Sequence, residues 1–125
     1  MARAKRGQQV PPPPEEGEWE LRYATKESLA FAEMEGQFPG NCAEAKARLK
    51  VAPTTRSDVQ KHLRGSLGKR TIGGVEMDQW QYDISSGARL WYCVDPDMCI
   101  VWLTLAATGH PRATEAKGKR APRSR

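Results

Sequence analysis

The sequence predicts an α+β fold, in which a small antiparallel-rich β-sheet packs against N-terminal helices. Three observations predict it. Residues 18–23 (EWELRY) alternate apolar and polar side chains, the period of a strand with one wet face. Residues 26–50 carry apolar positions at helical spacing, with Phe31, Met34 and Phe38 on one stripe. Residues 77–106 hold three apolar runs divided only by Ser85-Ser86-Gly87 and Asp95-Pro96-Asp97, turns short enough to force neighbouring strands antiparallel.

In chain order, the expected elements begin after residue 17. Residues 1–17 contain four consecutive prolines and, beyond alanine and the first methionine, one aliphatic side chain, Val10. Such a segment is expected as a disordered tail, with its prolines in extended polyproline II. Trp19, Leu21 and Tyr23 then form the buried face of a first strand. Thr25 is placed to cap a helix over 26–37, which Pro39-Gly40 ends. Asn41 and Glu44 stand in capping-box positions for a second helix ending near Lys50. Ser57 and Gln60 repeat that signature, so a third short helix is expected, with Val59 and Leu63 inward and Gly65 as its stop.

Residues 65–75 (GSLGKRTIGGV) read as a glycine-punctuated turning segment bearing Lys69 and Arg70. They lack the spacing of a nucleotide-binding loop. In the strands that follow, Trp80, Tyr82 and Ile84 share one face, as do Leu90, Tyr92 and Val94. Residues 99–106 (CIVWLTLA) are apolar on both faces and read as a strand covered on both sides. Residues 116–125 carry five cations among small residues and are expected as a second disordered tail. The expected domain is therefore 18–115.

The net charge of +5 belongs to the two ends. Between residues 17 and 115 there are 12 basic and 13 acidic side chains, a net of −1. Basic ends attract phosphate nonspecifically. The three cysteines form neither a disulfide framework nor a zinc pattern, and Cys93 and Cys99 lie in strand-like runs where buried free thiols are common. A cytoplasmic setting is expected, with no metal, no cofactor and no membrane span.

Two polar corners stand out. Arg89 follows a glycine turn and opens a strand, where a guanidinium can hold a phosphate bidentately. His110 follows the most apolar strand in a turn set by Gly109 and Pro111, and imidazole exchanges protons near neutral pH. Arg112 is two residues further on. Lys69 and Arg70, with Arg64 upstream, could add phosphate contacts. Glu76, Asp78 and Asp83 are possible acid/base partners, and Asp83 or Glu76 could instead ion-pair with Arg89. An exposed aromatic beside Arg89 could stack on an unpaired base. Of the remaining charged groups, His62 reads as a surface residue.

Ser86-Gly87-Ala88-Arg89-Leu90-Trp91-Tyr92 resembles the S-G-x-R-hydrophobic-x-Y strand of the RelE/ParE superfamily of toxin–antitoxin toxins. Gly109-His110-Pro111-Arg112 is similar to the HPK/R ending of many RelE-like members, and Leu63-Arg64-Gly65 to an upstream L-x-G segment. The order of strand, helices, basic hairpin loop and three-strand meander agrees with that family over residues 18–115. The resemblance implies an endoribonuclease (mRNA interferase) that cuts mRNA at the ribosome and inhibits translation. In such enzymes the RNA 2′-OH attacks the neighbouring phosphate without a metal. It also implies a cognate antitoxin as partner.

By carry-over, Arg89 would stabilise the scissile phosphate. His110 would be general acid or base, and Arg112 a second phosphate contact. Lys69, Arg70, Arg64 and Trp91 would bind RNA. The sequence departs from the family in having Gln79, Gln81 and Asp83 where many members carry lysines, and in lacking a tyrosine after Tyr92. A carboxylate from Glu76 or Asp83 would then partner His110. The alternatives are a ParE-like protein that binds DNA gyrase without chemistry, or a non-catalytic relic retained for antitoxin binding.

Overall fold

The computed structural model describes residues 3–109. The fold is α+β, with a six-stranded, mostly antiparallel sheet against two helices. The strands are β1 (Glu20–Tyr23), β2 (Gln60–His62), β3 (Lys69–Ile72), β4 (Val75–Asp83), β5 (Arg89–Asp95) and β6 (Ile100–Ala107); the helices are α1 (Phe31–Gln37) and α2 (Pro39–Val51). The sheet order is β1-β6-β5-β4-β2, and β3 also pairs with β4.

The expected meander is present as β4-β5-β6, antiparallel throughout. The first strand adds to its far side, parallel to β6, with Leu21 opposite Val101 and Tyr23 opposite Leu103. The helices cover the face that carries Leu21, Tyr23, Tyr82, Leu90, Tyr92 and Leu103, and supply Phe31, Met34, Ala45 and Leu49 to the same core. Between Trp91 and Tyr92 the β5–β6 register slips, so Thr104 is an extra residue on β6.

The helical region differs from expectation in its joints. The chain enters α1 through a 3₁₀ turn at Glu27–Ala30. Thr25 Oγ1 accepts the Ser28 N–H at 3.1 Å and donates to the Thr104 carbonyl at 2.6 Å, which ties this entry to β6. Pro39 opens α2 as well as closing α1, because a first-turn proline lacks only an N–H that would go unused. Asn41 lies inside α2, and its amide donates to the Ile84 carbonyl at 2.7 Å.

The third helix expected from Ser57 is a strand, β2. Gln60 is buried, and its amide donates to the Ala52 carbonyl and to the Tyr92 hydroxyl. Cross-strand pairing with β4 and this buried polar anchor override a local capping signature. Residues 65–75 are more regular than a turning segment. They form a 3₁₀ turn at Gly65–Gly68, then β3 and a two-residue hairpin. Gly73 and Gly74 both have positive φ (58° and 84°), as a type I′ turn requires. Cys93 is buried as expected, but Cys99 is exposed, in the turn before β6.

Residues 3–17 are also placed against the fold, contrary to the expected disordered tail. Gly7 N–H and Val10 N–H donate to the carbonyls of Tyr23 and Leu21, and Tyr23 N–H donates to Gln8. Val10 is only 1% exposed. Lys46 and Lys50 donate to the carbonyls of Pro11 and Pro12 at 2.8 and 2.7 Å. The segment covers the outer edge of β1, whose backbone groups would otherwise lack partners. One valine and a few backbone bonds suffice, because the sheet supplies the template. Val10→Ala is therefore expected to destabilise the protein by about 1–2 kcal/mol in urea unfolding, from lost burial and the small cavity. A disordered tail would give no change.

Burial also raises several proton affinities. The Cys42 thiol is pushed up to about 11 and the Cys93 thiol to about 12, in each case chiefly by burial. Tyr23 is pushed up to about 12 by burial and by nearby Glu35, and Tyr82 and Tyr92 are raised, mainly by burial. The unfolded chain loses these protons nearer pH 9 and 10, the ordinary thiol and phenol values. Above those values the unfolded state binds fewer protons than the native one, so stability falls as pH rises. Urea midpoints should hold up to about pH 9 and decline steadily toward 12. Alkylation of the native protein should modify exposed Cys99 ahead of Cys42 and Cys93.

Candidate functional site

Strand alternation puts Gln79, Gln81 and Asp83 of β4 on the face away from the helices, with Arg89, Trp91 and Cys93 of β5 beside them. A cleft of about 390 Å³ opens on this face. Trp91 and Gln81 line its base, Asp83, Ser85, Gly87 and Arg89 one end, and Leu63 and Leu67 a side wall.

The wall is held by a buried polar anchor. Gln79 is 2% exposed; its amide donates to the Leu67 carbonyl at 2.9 Å, and its oxygen accepts from the Thr104 hydroxyl at 2.6 Å. The 3₁₀ turn carrying Leu67 is thereby tied to the sheet. Gly68 lets the turn fold back closely, since a Cβ there would sit 2.6 Å from the Leu63 carbonyl oxygen.

The base is fixed by a chain of hydrogen bonds. The Trp91 indole N–H donates to Gln81 Oε1 at 2.8 Å, and Gln81 Nε2 donates to Asp83 Oδ1 at 2.7 Å. The indole has only a donor, so it sets the Gln81 amide with oxygen toward Trp91 and nitrogen toward Asp83. The Arg89 guanidinium lies 5.8 Å from the Trp91 ring centroid, a cation–π contact that holds it over the cleft. Ser85 Oγ accepts the Gly87 and Ala88 N–H groups, which shapes the corner leading into β5.

Of the residues singled out in the sequence, Arg89, Trp91 and Asp83 converge here. Asp83 and Arg89 are register partners, but the ion pairs among the described residues involve Arg22, Lys46, His62 and Lys69, not Arg89. Glu76 does not join them. It sits seven residues before Asp83, about 23 Å along the strand and on the opposite face. Lys69 pairs with Asp78 at 2.9 Å, which raises the proton affinity of its ammonium. Arg70, on β3, is exposed, and Arg64 is exposed beside the Leu63–Leu67 wall. His62 stacks on Trp80 and contacts the Gly68 carbonyl, away from the cleft. His110 and Arg112 lie outside the described residues. The last described residue, Gly109, is two beyond Ala107, the β6 partner of Arg89.

Gln81, Leu63 and Leu67 belong to the cleft although sequence reading gave them no part in a site. Gln81 could have been found from its parity with Asp83, but its link to Trp91 needs the strand register. Among the described residues no cluster of three or more His, Cys, Asp or Glu side chains could hold a metal ion, and no helix is long and apolar enough to cross a membrane. Comparison of the chain with known protein families, with curated proteins and with solved structures finds no match.

Proposed function

We propose that the cleft binds RNA and that the protein is a RelE-like endoribonuclease, the toxin of a toxin–antitoxin pair that cuts mRNA at the ribosome. The observation that carries this proposal is Arg89. It stands at a strand corner, held over an aromatic ring, beside a half-buried carboxylate and close to where the chain leaves β6. Further support comes from the order of strand, two helices, hairpin and three-strand meander, the order on which the family resemblance rests, with β2 added between helices and hairpin.

In this mechanism the RNA 2′-oxygen attacks the adjacent phosphorus and the 5′-oxygen leaves, giving a cyclic phosphate. Negative charge grows on the non-bridging oxygens, and a fixed guanidinium is suited to stabilise it. Arg89 is that group. His110 moves the proton and Arg112 gives a second phosphate contact. Arg64 and Arg70 extend the cationic surface beside the cleft. A cognate antitoxin would neutralise the protein by covering Arg89.

The test is to induce the protein in bacteria and map new 5′ ends on mRNA. Cleavage that disappears in His110→Ala supports the assignment. If the wild type generates no new ends, the nuclease proposal fails, and arrest of growth with gyrase inhibition would point to the non-nuclease toxin.

A further inference from the structure

The free hydrogen-bonding groups of the cleft point to one kind of base. We infer that the cleft selects guanine, with Asp83 reading its Watson–Crick edge. This rests on the proposal that the cleft is an RNA site. The lining suits a flat ring: the Trp91 indole, Leu63 and Leu67 offer apolar surface, and Asp83, Ser85, Ser86 and Arg89 offer polar groups. Bases stack on aromatic surfaces whatever their identity, so selectivity must come from the polar groups.

Those groups are already partly committed. Gln81 is oriented by Trp91 and spends one N–H on Asp83 Oδ1, and Ser85 Oγ accepts two backbone N–H groups. Arg89 leans on the ring of Trp91 and serves the phosphate. The one carboxylate among the described lining residues is that of Asp83, whose second oxygen takes no hydrogen bond from the described residues. A carboxylate pairs best with two adjacent donors. Guanine offers them, N1–H beside the exocyclic amine. Adenine and cytosine each set a ring acceptor next to their amine, and uracil flanks its single N–H with two carbonyls. Each of those three would turn a lone pair toward the carboxylate.

Titration of the full chain with the four nucleoside 5′-monophosphates tests this, followed by NMR through the Trp91 indole N–H. GMP should bind about tenfold or more tightly than AMP, CMP or UMP. Inosine monophosphate, which lacks the exocyclic amine, should lose most of that advantage. Asp83→Asn should abolish the preference and Asp83→Glu should keep part of it, while Arg89→Ala should weaken all four nucleotides alike.

Equal binding of the four, no binding of any, or an unchanged preference in Asp83→Asn overturns the inference. These outcomes are separable from failure of the nuclease proposal. Guanine selectivity without mRNA cleavage leaves the inference standing and removes the activity. Cleavage by a protein with no base preference does the reverse.

Discussion

Arg89→Ala is expected to reduce mRNA cleavage by about 100-fold or more while leaving the fold intact. The side chain is half-buried at a strand end, on the sheet face away from the helical core, and lies against the ring of Trp91, so its removal opens no cavity in that core. Loss of an exposed cation–π contact costs about 0.5–1 kcal/mol in stability. Loss of a preorganised donor to a transition-state anion costs about 2.7–4 kcal/mol in the barrier. The two effects differ enough to be separated by measuring urea midpoints beside the yield of new 5′ ends. Arg89→Lys refines the test. It keeps the charge but not the paired N–H geometry, so partial recovery would mean that charge dominates, and no recovery that bidentate contact does. Cleavage unchanged in Arg89→Ala would remove the cleft from the chemistry.

The second large effect concerns Tyr92. Its ring is fully buried in the core, its hydroxyl donates to the Pro53 carbonyl at 2.7 Å, and it accepts from Gln60 Nε2 at 3.1 Å. It therefore fastens three elements at once: β5, β2 and the segment after α2. Tyr92→Ala should cost about 3–5 kcal/mol, a large share of the 5–15 kcal/mol usual for a whole domain. Tyr92→Phe keeps the ring and removes only the hydroxyl. It should cost about 1–3 kcal/mol, because the Pro53 carbonyl loses a donor where water cannot easily replace it. Equal costs for the two substitutions would mean that the hydroxyl carries the effect and the ring little.

The meander and both helices were legible because their periods are clean. Leu90, Tyr92 and Val94 alternate over β5 without interruption, and the Phe31–Met34 spacing has no strand equivalent. β2 was not legible. Its inward residue is Gln60, and a buried polar side chain inverts the pattern that marks a strand. The edge segment at Gly7–Val10 was hidden for a related reason. Its bonds are backbone bonds, which leave no trace in side-chain pattern.

At the site, the Gly87-Ala88-Arg89 corner could be read from one glycine and one cation. The Trp91–Gln81–Asp83 chain could not, since it depends on which residues face each other across two strands. Glu76 and Asp83 looked equivalent along the sequence. An odd separation on one long strand puts them on opposite faces, and only a defined strand makes that parity count.

The parallel pairing of β1 with β6 has a kinetic consequence. Glu20 meets Ile100, so the first strand joins the rest of the sheet through the last. The Thr25 hydroxyl at the head of the helices likewise waits for Thr104. Closing so long a loop costs entropy before any contact repays it, and chains rich in such contacts fold slowly. The β4–β5 hairpin is local and can form early. Arg89 would then stand at the end of an unsupported strand until β6 docks on both sides at once, joining hairpin to N-terminus. Refolding followed by tryptophan fluorescence should be slower than the helix content alone would suggest, and substitutions in β6 should slow it more than substitutions in α2.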